Sequence, residues 1–131
     1  MTRREIRELI FKMVFRVEFH SEEEIPQQMR LFMDALDAAG EKDRAYMEQK
    51  VKDIIAHLEE IDTLIDQSAK NWKTSRMAKV ELTLIRLAVY EIKFEPDIPT
   101  GVAINEAVEL AKLYGEDNSA SFVNGVLARI A

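Results

Sequence analysis

Apolar residues recur at three- and four-residue steps along most of this chain, the spacing of helices that each bury one face. Ile6, Leu9, Ile10, Met13, Val14 and Val17 form the first stripe and predict an amphipathic helix from about Thr2 to Phe19, with Thr2 as its N-cap. Ser21 followed three residues later by Glu24 is a capping-box pattern, and Pro26 suits the first turn of a second helix. The core stripe of that helix is Met29, Phe32, Met33 and Leu36, and Gly40 supplies its stop. From Lys42 onward, Met47, Val51, Ile54, Leu58, Ile61 and Ile65 run without a proline or glycine between them, so periodicity alone gives one long helix to about Lys70. Trp72 falls in the connection that follows, where a large ring commonly seals the seam between packed helices.

The segment from about Ser75 to Phe94 is apolar around most of a helical circumference, which places it in the middle of a bundle. One strip is polar: Arg76, Lys79, Thr83, Arg86, Tyr90 and Lys93. Pro96 and Pro99 force a turn, because each lacks an amide donor and biases its predecessor away from helix. Thr100 can cap the next helix, which ends at Gly115, and Asn118 or Ser119 can cap the last. Asn124-Gly125 is a hairpin signal. Phe122, Val123, Val126, Leu127 and Ile130 nevertheless keep helical spacing on both sides, predicting a helix with a glycine placed for close packing. The expected fold is all-α.

Composition narrows the picture without changing it. The 131 residues are one domain's worth, and only 4 Gly and 3 Pro interrupt a chain that is 47% hydrophobic and 32% charged, as expected of helices joined by short turns. The absence of cysteine excludes disulfides, thiolate catalysis and cysteine zinc sites, and is compatible with a reducing cytoplasm. The N-terminus mixes glutamates into its apolar positions, unlike a secretory signal, and no apolar run is long enough to cross a bilayer, so the expected location is cytoplasmic. His20 and His57 stand apart, without the partners a metal site requires, and no phosphate-cradling glycine loop, nucleophile elbow or triad can be assembled. Neither enzymatic activity nor a cofactor is expected.

The net charge of -6 is unfavourable for gripping phosphates, so distribution decides. Arg3, Arg4, Arg7, Lys12 and Arg16 gather in the first helix, while Glu22, Glu23, Glu24 and the stretch from Asp34 to Glu60 carry much of the acid. Arg3 and Arg7 lie one turn apart with Arg4 beside them, an arrangement that can bind successive phosphates or simply solvate a helix end, with Glu5 and Glu8 offering local pairs.

Three stretches in fixed order, RMAKVELTLIRLAVYEI from Arg76, VAINEAVELAKLYG from Val102 and SFVNGVL from Ser121, resemble the signature of the NusB family. Its members are small all-helical factors that hold an RNA element during bacterial transcription. The resemblance implies about seven helices in two packed bundles, with a break in the long third helix near Leu58 to Asp62. It also implies antitermination: with the ribosomal protein NusE, the factor binds single-stranded boxA RNA of ribosomal RNA leaders and helps RNA polymerase ignore terminators. The arginine-rich N-terminus is implied to contact RNA, through Arg3, Arg4 and Arg7.

Phe122 can stack on an unpaired base or pack in the core, and Asn118 can meet phosphate and base edges or merely cap its helix; the resemblance favours RNA for both. Phe15, whose arc is nearer Arg4 than the apolar stripe, can be core or a partner surface, and in NusB-like proteins an aromatic here serves partner and RNA contacts. Glu81, among Leu84, Ile85 and Ala88, needs either an internal cation or a basic partner such as NusE. Arg86 and Glu91 read as structural ion-pair or helix-end groups, and Asn105 as a residue that fixes the turn after Pro99. The alternatives are a helical protein-protein adaptor without RNA binding, and a stand-alone relative of the NusB-like domain of ribosomal RNA methyltransferases. A monomer and a homodimer are both compatible with the sequence.

Overall fold

Among the described residues, seven α-helices and two single 3-10 turns make up the regular structure, and no strand occurs. The computed structural model describes residues 1–36, 40–69 and 71–131. The helices are α1 (Arg3–Arg16), α2 (Ile25–Asp34), α3 (Glu41–Ala56), α4 (Leu58–Ser68), α5 (Lys79–Phe94), α6 (Thr100–Tyr114) and α7 (Ser119–Ile130). They fall into two compact units, Met1–Ala56 and His57–Ala131.

In the first unit, α1 packs chiefly on α3, and α2 touches both. Thr2 caps α1 as its position predicts. Its hydroxyl accepts from the Glu5 backbone N–H at 3.0 Å, and the Glu5 carboxylate accepts from the Thr2 N–H at 3.0 Å, a complete reciprocal box. The Ser21–Glu24 pattern behaves differently. Glu24 accepts from the Ser21 N–H at 2.9 Å and the Ser21 hydroxyl at 3.1 Å, but these close a turn that precedes α2, which starts at Ile25 with Pro26 in its first turn. Of the expected α2 stripe, Met29 and Met33 are buried, whereas Phe32 and Leu36 are half-buried. Gly40 opens α3 rather than closing α2, since its carbonyl accepts from the Arg44 N–H at 3.0 Å; the three residues before it lie outside the described residues.

The continuous periodicity across Met47 to Ile65 hides a break at His57, one residue ahead of the segment the family resemblance implies. His57 leaves helical geometry at φ -106°, ψ 10°, and its carbonyl accepts from Ile61 to start α4. Both segments keep their apolar stripes because a one-residue corner barely disturbs a three-to-four spacing. The predicted helix end at Lys70 lies outside the described residues.

The second unit is organised around α5, which packs on α4, α6 and α7. Every α5 residue from Leu82 to Glu91 is buried, including the strip that sequence alone left polar: Thr83, Arg86 and Tyr90 face inward. Thr83 and Arg86 can do so because their polar groups have somewhere to go. The Thr83 hydroxyl donates to the Lys79 carbonyl at 2.7 Å, and the Arg86 guanidinium forks onto Asp62 of α4, Nε to Oδ1 at 2.9 Å and Nη2 to Oδ2 at 2.8 Å. Around them Leu84, Ile85 and Val89 lose all contact with solvent, each worth about 1.5–3 kcal/mol relative to exposure. Residues 74–76 form a 3-10 turn ahead of α5, so the helix begins at Lys79 rather than near Ser75. Pro99, rather than Thr100, occupies the N-cap of α6.

Candidate nucleic-acid interface

The arginines of α1 divide by helical phase. Arg7 shares the inward arc with Ile10, Phe11 and Val14 and keeps 8% of its surface, while Arg3 and Arg4 are exposed. The Glu5 carboxylate accepts from the Thr2 N–H at 3.0 Å. The Thr2 backbone N–H, then its hydroxyl, holds the Glu5 carboxyl below the usual glutamate range. Glu8 pairs along the helix with Lys12 at 3.7 Å. Arg3 and Arg4 are both exposed in the first turn of α1.

Along α1 and the 3-10 turn that follows it, Phe11, Phe15 and Phe19 form a ladder, with centroids 6.0 Å apart for the first pair and 5.1 Å for the second. Phe15 is half-buried between a buried ring and Phe19, which is 60% exposed. The sequence alternatives of core or surface resolve into a ring that does both. Arg16 lies over the Phe32 ring, 5.0 Å from its centroid, and so belongs to the packing of α1 on α2.

On the second unit, Asn118 and Phe122 sit one turn apart at the start of α7. Asn118 occupies the N-cap position and is exposed, yet its side chain makes no capping bond. Phe122 is half-buried, meeting the Trp72 ring edge-to-face at 5.7 Å and 82°. Trp72 does not seal a seam as its size predicts: it is 54% exposed and lines a groove with Phe122, Ser121, Gly125 and Arg129. Sequence reasoning missed it as a site residue. The available signal was its setting, between Asn71 and Lys73 and outside any apolar stripe.

Glu81 is half-buried, and its hydrogen-bond partner among the described residues is Ser119 rather than a lysine or an arginine. The buried Ser119 hydroxyl donates to its Oε2 at 2.7 Å while accepting from the Glu116 N–H at 2.9 Å, tying α5 to the start of α7. Gly115 permits this: a Cβ there would stand 2.5 Å from Ser119 Cβ and 2.6 Å from its hydroxyl. Gly125 meets nothing within 4 Å, so it is not the close-packing glycine that its sequence context predicts.

No group of three or more metal-ligating side chains occurs among the described residues, and none of their helices is long and apolar enough to cross a membrane.

Against known proteins, the NusB family model matches residues 4–131. A relative from Agathobacter rectalis, "Transcription antitermination protein NusB", is 60% identical over 131 residues, covering 100% of both chains. Among solved structures, NusB of T. maritima superposes with a TM-score of 0.91 at 38% identity, covering 100% of this chain and 91% of that one. A crystal structure of the antitermination factors NusB and NusE in complex with dsRNA superposes with a TM-score of 0.85 at 26% identity, covering 98% of this chain and 94% of that one. On a match from Arg4 to the last residue, on sequence and fold alike, the chain belongs to the NusB family.

Proposed function

We propose that this chain is a bacterial transcription antitermination factor that binds boxA RNA of ribosomal RNA leaders together with NusE. The observation that carries this reading is the end-to-end likeness to an antitermination protein at 60% identity. The likeness to a NusB bound to both NusE and RNA supports the choice of partners. The local chemistry agrees. Arg3 and Arg4 stand exposed on a chain of net charge -6, where phosphate attraction must come from a local patch. Asn118 and Phe122 offer an amide and a ring to bases, and base edges and faces are open to side chains chiefly in unpaired RNA.

In this reading Arg3 and Arg4 position the backbone while Asn118 and Phe122 meet bases. Arg7 contributes from the buried side, as a support of α1. Phe15 and Glu81 are proposed partner contacts, and Glu81 is the more constrained of the two because Ser119 already engages one of its oxygens. The acidic remainder suits a basic ribosomal protein. The role is that of an adaptor in the cytoplasm, acting on RNA polymerase through assembly rather than catalysis.

The test is an anisotropy titration of labelled boxA RNA, with and without NusE, alongside a scrambled RNA of equal length. Tighter binding of boxA, strengthened by NusE, is expected. Equal affinity for both RNAs contradicts the specific role.

A further inference from the structure

The groove beside Phe122 contains two features that core packing leaves unexplained. One is Trp72, the chain's single tryptophan, more than half exposed although its ring is held in place. Its backbone N–H donates to the Ala69 carbonyl at 3.0 Å at the end of α4, and two residues on, Asp66 accepts from the Thr74 N–H at 2.7 Å and the Thr74 hydroxyl at 3.3 Å. A large ring fixed by its backbone and left facing water is pre-organised for contact. The other is Gly125. A helix-interior glycine costs about 1 kcal/mol relative to alanine, normally offset by a positive φ or a close approach. Gly125 has neither: no described residue has positive φ, and its missing Cβ would meet only open space. What its lack of a side chain provides is the floor of the groove.

That groove has a volume of about 220 Å³ and is lined by Trp72, Phe122, Gly125, Ser121, Asn71 and Arg129, among others. It is smaller than the roughly 300–1,000 Å³ of small-molecule sites, so it suits one flat ring rather than a whole cofactor. Among the described residues that line it, Arg129 is the charged one. Arg129 is exposed and forms no ion pair among the described residues, while Asn71 and Ser121 supply donors and acceptors at the rim.

We propose that this groove is a single-base subsite, in which one unpaired RNA base enters between Trp72 and the Gly125 floor, stacks on the exposed tryptophan ring, and has its adjoining phosphate met by Arg129. The inference rests on the RNA-binding reading above and extends it from Asn118 and Phe122 to Trp72, Gly125 and Arg129. An aromatic platform, a cation for the backbone and polar groups at the rim together match a flipped-out nucleotide. The site selects unpaired over duplex RNA, because a base within a helix cannot present its face to Trp72.

The test uses the full chain with NusE and fluorescein-labelled single-stranded boxA RNA, with a perfect duplex of the same sequence as the second arm. Binding is read by anisotropy on the label, and site occupancy by the Trp72 emission, isolated by subtracting the Trp72→Phe variant. The single strand is expected to quench Trp72 emission and the duplex to leave it unchanged. Gly125→Leu, which fills the floor at a position with room for a side chain, is expected to weaken single-strand binding about tenfold or more, the scale of losing one stacked base, with far-UV circular dichroism unchanged. Arg129→Gln is expected to lower the salt dependence by about one phosphate contact. Normal single-strand binding with constant Trp72 emission and wild-type affinity for Gly125→Leu overturns the subsite while leaving RNA binding intact. No anisotropy change with either RNA removes both.

Discussion

The two units differ in how much charge they leave at the surface of their central helix, α5 in one and α1 in the other. In the unit built on α5, charged groups turn inward and are matched across helices: Arg86 forks onto Asp62, and Glu81 takes the Ser119 hydroxyl. In the unit built on α1, Lys12 pairs with Glu8 and Lys52 with Glu48 along a helix, Arg44 reaches Asp34 from α3 to α2, Arg7 and Lys50 are buried, and Arg3 is left facing water. A fork that satisfies both oxygens of a carboxylate fixes two helices in register. A pair on a helix surface contributes little to stability and leaves neighbouring cations available to a ligand. Charge in the α5 unit serves the fold, as buried Arg7 and Lys50 do in the α1 unit, whereas the exposed charge of α1 is what we propose for binding.

Arg86→Ala should separate these uses most sharply. It strands Asp62 beside the core, and we expect a loss of about 2–4 kcal/mol in urea unfolding, toward the lower end of buried-pair values because Asp62 keeps 27% of its side chain in solvent. The double variant Arg86→Met with Asp62→Leu should recover most of that loss. Equal stability of Arg86→Ala and the wild-type chain would mean that the fork does not hold α4 to α5.

Two glycines sharpen the contrast within the second unit. Gly115→Ala should destabilise by about 1–3 kcal/mol, since its Cβ would collide with Ser119 and with the Ala111 carbonyl at 2.8 Å. Gly125→Ala should stabilise by about 0.5–1 kcal/mol, having open space and gaining helix propensity. Thermal unfolding of both variants reads the difference, and a common sign would contradict the assignment of close packing to one and groove floor to the other.

The smallest effect belongs to the first unit. The Glu5 carboxyl sits below its usual range because the Thr2 N–H and hydroxyl hold the charged form. A depressed folded-state value means that this contribution is fully present at neutral pH and is lost as pH falls through the folded value. Glu5→Gln should therefore flatten a small acid-side portion of the stability curve, measured by urea midpoints across the acidic range.

The outline of the fold was legible because apolar periodicity reports burial directly, and Thr2, Pro26 and Pro99 mark boundaries by chemistry that acts locally. Periodicity failed where burial and polarity part company. Thr83 and Tyr90 read as part of a polar strip although both are buried, whereas Arg86, read as a structural ion-pair group, finds its partner Asp62 on α4. His57 hid a corner that preserved the apolar spacing. Gly115 ends α6 as read and also makes the close approach expected of Gly125, because only three-dimensional packing tells a collision from a void. At the candidate interface, charge type was legible, but the split that buries Arg7 and leaves Arg3 and Arg4 outside depends on which arc of α1 meets α3. Trp72 was visible as a residue yet not as part of a site, because its neighbours Phe122 and Gly125 come from another helix.

The most direct test of the division between structural and binding charge is the salt dependence of boxA RNA affinity in the presence of NusE, compared between the wild-type chain and an Arg3→Ala, Arg4→Ala variant. The slope of log affinity against log salt should become shallower by about two phosphate contacts, with stability unchanged within about 0.5 kcal/mol. An unaltered slope would contradict the account, because the exposed charge of α1 would then have no part in holding RNA.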